Sequence, residues 1–203
     1  MNDPNPAGPQ PTKSRADSWI WRRPRTWLLL GIPLGGFLAF AVGIAFSGGF
    51  EASLQYASSL KFCSSACHEM ETAYQEYTTS THFKNEFGVA ASCADCHVPP
   101  GFIPSLIRHM KASIEVYQHL RGKLATPAKY EAHRAELAQN VWNELKANDS
   151  AECRSCHAYT AMDFDKQGHS AAKKHDAAYL AKSGETCIDC HKGIVHKLPP
   201  DAS

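Results

Sequence analysis

Cys187-Ile188-Asp189-Cys190-His191 is a C-x-x-C-H segment, and the same pattern recurs at Cys93–His97 and at Cys153–His157. A fourth segment, Cys63–His68, reads CSSACH and has one extra residue between its cysteines. C-x-x-C-H is the attachment signature of c-type haem. The two thiols form thioethers with the haem vinyl groups, and the adjacent histidine binds the iron. The recurrence of this motif predicts a chain that folds around several covalently bound haems.

Every cysteine of the chain belongs to one of these four motifs, which we number in chain order. One motif could arise by chance, whereas four motifs that use all eight cysteines indicate a multihaem cytochrome and therefore an electron carrier. We predict four covalently bound haem c groups. The predicted thioether residues are Cys63, Cys67, Cys93, Cys96, Cys153, Cys156, Cys187 and Cys190, and the predicted iron ligands are His68, His97, His157 and His191.

Zinc binding and disulfide bonding are the two alternative interpretations of the paired cysteines. Four cysteine pairs could hold two zinc ions, but a zinc site does not require a histidine directly after every second cysteine. Disulfides stabilise small secreted domains, but a bridge between cysteines so close in sequence is strained and adds little stability. The histidine after each pair therefore favours haem.

The stretched first motif leaves two arrangements open. Residues three and four apart lie on the same face of a helical turn, so Cys63 and Cys67 could both reach the haem with a slightly altered geometry. Alternatively, the haem is attached through Cys67 alone, and Cys63 remains a free thiol. We favour two thioether bonds.

An uncharged, mainly apolar run precedes the motifs and predicts a membrane anchor at residues 27–47. A membrane-spanning helix needs about 20 such residues, and it tolerates proline and glycine. A cleaved signal peptide is the alternative, and it would have an apolar core of about 7–15 residues before an A-x-A-like cleavage site. This core is longer, and Ser47-Gly48-Gly49 is a poor cleavage site.

Basic residues lie immediately before the anchor, at Arg22, Arg23 and Arg25. Because basic residues favour the cytoplasmic side of a membrane, they predict a cytoplasmic N-terminus and a periplasmic haem domain. We therefore expect a single-pass protein of the bacterial inner membrane with three segments: a disordered cytoplasmic tail with a basic end at 1–26, an anchor at 27–47, and a periplasmic tetrahaem domain at 48–203.

The haem domain shows no convincing strand alternation, and two of its segments have apolar residues at helical spacing. These are residues 104–124 and a segment that starts at Thr126-Pro127, a pair typical of a helix N-terminus, and ends before Asn148. Four haems leave little room for a protein-only core in so small a domain. We predict a mostly α fold, with one transmembrane helix and a cytochrome domain of helices and loops around four haems.

Each haem iron also needs a sixth ligand or keeps an open position. His82 lies between the first two motifs, His175 between the last two, and His196 after the last, so each could bind the iron of a neighbouring haem. Met70 follows His68 closely, and a thioether is a known axial ligand, although methionine more often packs in a core. Weaker candidates are His169 and three histidines on the helical segments, where an exposed or packed histidine is commoner: His109, His119 and His133.

Four short sequences outside the bare cysteine pattern are distinctive: Cys67–Met70 (CHEM), Cys96–Pro99 (CHVP), Ala147–Ser150 (ANDS) and Cys187–Pro199 (CIDCHKGIVHKLP). On these residues the chain resembles the NapC/NirT family of membrane-anchored tetrahaem cytochromes c, to which the NrfH-type proteins also belong. The resemblance covers roughly residues 61–199, and its last segment is the most specific.

The resemblance implies a quinol dehydrogenase, which oxidises membrane quinol (menaquinol or ubiquinol) and passes the electrons to a periplasmic reductase or cytochrome in nitrate or nitrite respiration. It implies that the first haem lies nearest the membrane beside the quinol and that Met70 ligates its iron. It also implies that His82, His175 and His196 are distal ligands. A carboxylate or ammonium must hold the quinol hydroxyl and accept its proton, and our candidates are Asp95 and Lys84.

The chain departs from the family in two places. Its first motif has one extra residue, and Pro100 stands where some members have a histidine. Because proline cannot ligate iron, that haem or its ligand scheme differs here.

Two other functions remain as alternatives: a haem enzyme that reduces a small nitrogen compound itself, and reverse electron flow from a periplasmic dehydrogenase to quinone. The first is disfavoured because the sequence contains no large substrate domain. The formal net charge of +1 gives no nucleic-acid footprint. The expected partners are quinol, the lipid bilayer and a periplasmic redox protein, and a homo-oligomer is left open.

Overall fold

The structure is a computed structural model that describes residues 28–29, 32–200 and 202, with side chains from residue 34 onward. The predicted cytoplasmic tail at 1–26 lies outside the described residues. The chain divides at Ser53 into an N-terminal unit and a unit that carries the haem motifs.

The N-terminal unit contains a short hairpin followed by a long apolar helix. Strands β1 (Leu28–Leu29) and β2 (Ile32–Pro33) pair antiparallel. Helix α1 (Leu34–Ala57) follows them, has no buried residue, and is long and apolar enough to cross a membrane.

The bounds of this helix differ from the anchor expected at 27–47. The helix begins at Leu34, directly after Pro33. Proline interrupts a helix at an internal position because it lacks a backbone N–H, but it is well tolerated at a helix start. It passes through Gly48 and Gly49 and ends at Ala57. Each glycine costs only about 1 kcal/mol relative to alanine in a helix, which does not end a run of this length.

The haem-motif unit consists of helices and irregular segments, so the predicted mostly α fold is confirmed. Two 3₁₀ turns lie at Tyr159–Ala161 and Phe164–Lys166. The α-helices of this unit, among the described residues, are α2 (Leu60–Ser65), α3 (Met70–Thr78), α4 (Cys93–His97), α5 (Phe102–Leu120), α6 (Pro127–Ala147), α7 (Ala151–Arg154), α8 (His169–Lys174), α9 (Ala177–Ser183) and α10 (Cys187–Cys190).

Helices α5 and α6 confirm the two helical segments expected from the sequence. A turn at Gly122, with φ +65°, separates the two helices. Helix α6 is capped as predicted, because the Thr126 side chain accepts a hydrogen bond from the backbone N–H of Lys129 at 3.3 Å.

The protein has little apolar core of its own. Among the described side chains, the buried hydrophobic ones are Tyr77, Leu145 and Ile188. Helix α5, in contrast, exposes one apolar stripe at Ile103, Ile107, Met110, Ile114 and Tyr117. A fold with so few buried apolar side chains fits a domain whose interior is built largely from haem.

A strained turn joins α6 to α7 and lies inside the ANDS sequence. Asp149 and Ser150 both adopt left-handed backbone conformations, with φ of 58° and 50°. Such a conformation costs about 1–2 kcal/mol for each L-residue. Ser150 is fully buried, and its hydroxyl accepts a hydrogen bond from the backbone N–H of Ile188 at 3.3 Å. This hydrogen bond therefore links the turn before the third motif to the fourth motif.

Candidate haem-binding sites

Three of the four motifs each form one helical turn. Helix α4 spans the whole second motif. In the third motif the N–H of His157 donates to the carbonyl of Cys153 at 2.8 Å, and in the fourth the N–H of His191 donates to that of Cys187 at 2.9 Å. This turn places the first cysteine and the histidine on one face, as attachment to a single haem requires.

The second and fourth motifs are also capped in the same way. Asp95 accepts a hydrogen bond from the backbone N–H of Ser92 at 2.6 Å, and Asp189 accepts one from Thr186 at 2.8 Å. Each aspartate thus completes a capping box at the start of its motif. Asp95, our candidate for the quinol site, therefore already has a capping role at its own motif. Lys84, the other candidate, is exposed. Their role towards quinol remains a prediction.

The first motif is arranged differently. Cys63 lies inside α2, whereas Cys67 and His68 follow the helix. A hydrogen bond with the Cys93 thiol lowers the pKa of Cys63 to about 7, and the same contact, with burial, raises the pKa of Cys93. Cys63 is therefore directed towards the first cysteine of the second motif, and whether it also bonds to the first haem stays open.

The structure pairs every motif histidine with a histidine from outside the motifs. The two rings of each pair lie at similar separations, measured between ring centroids: 5.6 Å for His68–His119, 6.3 Å for His97–His196, 6.2 Å for His157–His82 and 5.9 Å for His191–His175. The structure thus brings His82, His175 and His196 each against one motif histidine.

This pairing is the observation that tests whether the residues fit haem. Aromatic side chains pack at centroid distances of about 4.5–7 Å without any iron, but packing alone does not match each motif histidine with a different partner. Three of the pairs, His68–His119, His157–His82 and His97–His196, also join distant parts of the chain. Two imidazoles are a donor set that a six-coordinate haem iron uses, so the residues fit the group.

Burial keeps several of these imidazoles neutral. It lowers the pKa of His97 to about 4, and it also lowers the pKa of His82 and of His196. The neutral ring is the form that binds a metal ion, so these side chains are ready to ligate without losing a proton.

The Nδ1 atoms of three outer histidines face polar side chains, which leaves the other nitrogen for iron. His175 Nδ1 lies 2.6 Å from Gln167 Oε1, His119 Nδ1 lies 2.6 Å from Glu69 Oε1, and His196 Nδ1 lies 3.5 Å from Glu76 Oε2. The buried Nδ1 atoms of His82 and His196 have no hydrogen-bond partner among the described residues, which is unusual for a polar atom, and the contact of His196 Nδ1 with Glu76 is therefore an ion-pair contact only.

Two histidines on the long helices have different surroundings. His109 uses both ring nitrogens, because Nδ1 lies 2.8 Å from the Ser105 carbonyl oxygen and Nε2 lies 3.1 Å from the Ser58 hydroxyl. The Nδ1 of His133 lies 2.9 Å from the carbonyl oxygen of Lys129. Both side chains contact the preceding turn of their own helix. Among the described residues, neither is paired with a motif histidine, so both fit the packed roles expected for them.

The first pair differs from the other three. The side chain of His68 is 63% exposed, and Glu69 Oε1 lies 3.6 Å from His68 Nε2 as well as 2.6 Å from His119 Nδ1. A buried carboxylate therefore contacts both rings. Met70, the ligand that the resemblance implies, begins α3 and is 38% exposed.

Sequence reasoning did not anticipate the polar partners Glu69, Glu76 and Gln167, or the approach of His119 to the first motif. Glu69 and His119 are 50 residues apart in the chain. No spacing rule connects them, because the contact depends on how α5 packs.

Comparisons with known proteins agree with this geometry. Residues 26–201 match the NapC/NirT cytochrome c family, N-terminal region. The chain is 50% identical over 182 residues to the cytochrome c-type protein NapC of Escherichia coli (strain K12), which covers 89% of this chain and 88% of that protein. It is 48% identical over 187 residues to NapC of Paracoccus pantotrophus, covering 90% of this chain and 77% of that protein.

A third relative is named as a putative tetraheme cytochrome-c type protein, from Allochromatium vinosum. It is 45% identical over 164 residues, covering 81% of this chain and 88% of that protein. No solved structure matches the chain significantly. The chain therefore belongs to the NapC/NirT cytochrome c family, as a membrane-anchored tetrahaem cytochrome c that relays electrons from quinol to a periplasmic reductase.

Proposed function

We propose that this cytochrome accepts electrons from quinol at its first haem and delivers them through the other three haems to a periplasmic nitrate-reducing partner. The observation that carries the proposal is the matching of His97, His157 and His191 with three different outer histidines. The similarity to NapC proteins over most of the chain supports a partner in nitrate respiration.

Three irons receive their second histidine from the pairs that the structure brings together. We assign His196 to the second haem, His82 to the third and His175 to the fourth. For the first haem we keep Met70 as an iron ligand, because the Glu69 carboxylate contacts both His68 and His119 and so distinguishes this pair from the others. The haems, when bound, supply one-electron carriers in close succession.

The membrane side of the proposal has two supports. Helix α1 provides an apolar anchor, and the exposed apolar stripe of α5 offers a second surface that lipid or quinol can contact. The basic residues before the anchor favour a cytoplasmic N-terminus and a periplasmic haem domain. Asp95 and Lys84 remain our candidates for holding the quinol hydroxyl and accepting its proton.

Reduction of the purified, detergent-solubilised protein by a menaquinol analogue tests the function. We expect all four haems to be reduced and then reoxidised when a periplasmic nitrate reductase and nitrate are added. Reoxidation by nitrite or hydroxylamine without the reductase would instead show a haem enzyme. The opposite direction of electron flow would be shown by two results together. The quinol would reduce no haem, and the reduced protein would reduce quinone.

A further inference from the structure

A buried ion pair connects α3 to α6 inside the haem-motif unit. The side chains of Arg134 and Glu76 are only 6% and 9% exposed. Arg134 donates two hydrogen bonds to the carboxylate of Glu76, at 2.6 and 3.1 Å. Burying two charges is expensive unless their geometry is good and their remaining hydrogen-bonding groups are satisfied, so this pair requires an explanation.

The hydrogen bonds of Arg134 are fully used. Besides the two to Glu76, it donates two to Glu131, both at 2.7 Å, and one to the carbonyl oxygen of Lys197 at 3.1 Å. A guanidinium has five N–H donors, and all five have acceptors here. The position of the Glu76 carboxylate is therefore rigidly fixed.

The other side of Glu76 faces the C-terminal segment. Glu76 Oε2 accepts a hydrogen bond from the backbone N–H of Lys197 at 3.1 Å and lies 3.5 Å from His196 Nδ1. The segment reaches this position through a tight turn at Gly193, with φ +75°, where a Cβ would lie 2.8 Å from the side chain of Leu198. Both peptide groups of Lys197 are held, so the ring of His196 is aimed at His97 from a fixed backbone.

The charge balance at Glu76 favours the ionised carboxylate. Its two oxygens accept two hydrogen bonds from the Arg134 guanidinium and one from the backbone N–H of Lys197, and hydrogen bonds to a carboxylate favour its charged form. The carboxylate next to His196 is therefore negatively charged in the folded protein.

We propose that Glu76, held by Arg134, is a positioning residue for the second haem: its carboxylate, 3.5 Å from Nδ1 of the axial ligand His196, orients that imidazole through its charge and lowers the reduction potential of that haem. A carboxylate beside the second nitrogen of a ligating histidine raises the basicity of the ligand. A stronger donor stabilises the oxidised iron relative to the reduced iron. The inference rests on the proposed assignment of His196 to the second haem.

The fourth haem provides an internal comparison. There the Nδ1 of His175 faces the neutral amide of Gln167 rather than a carboxylate. A neutral acceptor raises the basicity of the imidazole less than a carboxylate does. This contact alone should therefore give the second haem a lower reduction potential than the fourth.

Glu76→Gln in the full-length holoprotein tests the proposal, with Glu131→Gln as the matched control. Both substitutions remove one carboxylate from Arg134, but Glu131 is 54% exposed and does not contact His196. Optical redox titration of E76Q should show one of four haem potentials shifted upwards, with all low-spin signals retained. E131Q should leave the four potentials unchanged, and Gln167→Glu should shift a different haem downwards.

Each other outcome has a definite meaning. Equal upward shifts in E76Q and E131Q, or no shift in E76Q, would overturn the proposal. If E76Q loses haem, Glu76→Asp is used in its place. The shorter side chain keeps its charge but moves the carboxylate away from Nδ1 of His196. An unchanged potential in E76D would again contradict the positioning role of Glu76. His196→Ala separates this failure from a wrong ligand assignment, since a spectrum without a new high-spin haem in H196A would remove the assignment itself.

Discussion

The surroundings of the first and second haem motifs are built differently. At the second motif, His97 is partly buried, its partner His196 lies about 100 residues later in the chain, and Glu76, held by Arg134, contacts that partner. At the first motif, His68 is largely exposed, and the Glu69 carboxylate contacts both His68 and His119.

This difference suits the two tasks that an electron relay must perform. An internal haem needs fixed ligands and exclusion of water, so that little rearrangement accompanies each electron transfer. A haem that receives electrons from a diffusing quinol must remain accessible to it. The exposed His68 therefore fits the proposal that the first haem meets quinol.

The largest expected effect comes from removing an outer histidine of a well-formed pair. His196→Ala, His82→Ala and His175→Ala should each convert one low-spin haem to high spin, because each iron loses its sixth ligand. Magnetic circular dichroism and electron paramagnetic resonance measure the change. His133→Ala is the control and should leave all spectra unchanged, and conversion in that variant or none in the three others would disprove the ligand scheme.

The first motif should respond differently to the same kind of substitution. Met70→Ala should alter the spectrum of one haem, whereas His119→Ala should leave the number of low-spin haems unchanged, because we assign Met70 rather than His119 to the first iron. The same two spectroscopic methods distinguish the variants. A new high-spin haem in H119A, with normal spectra in M70A, would show that the first pair is equivalent to the others.

Asp95 and Asp189 form a matched pair for testing the quinol site. Both cap their own motif, but only Asp95 is a candidate to accept the quinol proton. Asp95→Asn should slow reduction by a menaquinol analogue about 10²-fold or more, the range typical of a lost general base, and Asp189→Asn should not. Equal quinol kinetics in both variants would leave Asp95 with its capping role alone.

Cys63→Ala tests whether the stretched motif still makes two thioether bonds. We expect the variant to retain four haems, with one attached through Cys67 only. Loss of one thioether leaves a vinyl group conjugated to the porphyrin, so the pyridine haemochrome band should move to longer wavelength. An unchanged band would show that Cys63 is a free thiol in the native protein, next to Cys93.

The smallest effect is expected on folding stability. Asp189→Asn should lower the free energy of unfolding by about 1 kcal/mol, a typical value for a lost helix cap. Hydrogen bonds from Lys146 and Thr186 lower the pKa of Asp189 to about 2. Since the folded-state pKa is depressed, this stabilisation is complete above the unfolded-state pKa of about 4 and is lost as the pH falls towards 2. Thermal unfolding at pH 7 and at pH 3 should show the wild-type advantage shrinking, and an advantage that does not shrink would contradict this cause.

The sequence was sufficient to predict the elements whose signals are local. The cysteine motifs, the α5 and α6 helices and the cap at Thr126 all follow from spacing and residue type, and the structure has them. The start of α1 was missed because the run of apolar residues conceals the effect of Pro33. The contacts of Glu69 with His119 and of Arg134 with Glu76 join residues more than 45 positions apart, and only the packing of the helices brings them together.

The contrast between the first haem and the other three is tested most directly by near-infrared magnetic circular dichroism of the oxidised protein, since this method identifies the axial ligands of each low-spin haem. We expect three haems with two histidine ligands and one haem with a different ligand set. Four equivalent haems with two histidines each, or fewer than three haems with two histidines, would contradict this ligand scheme.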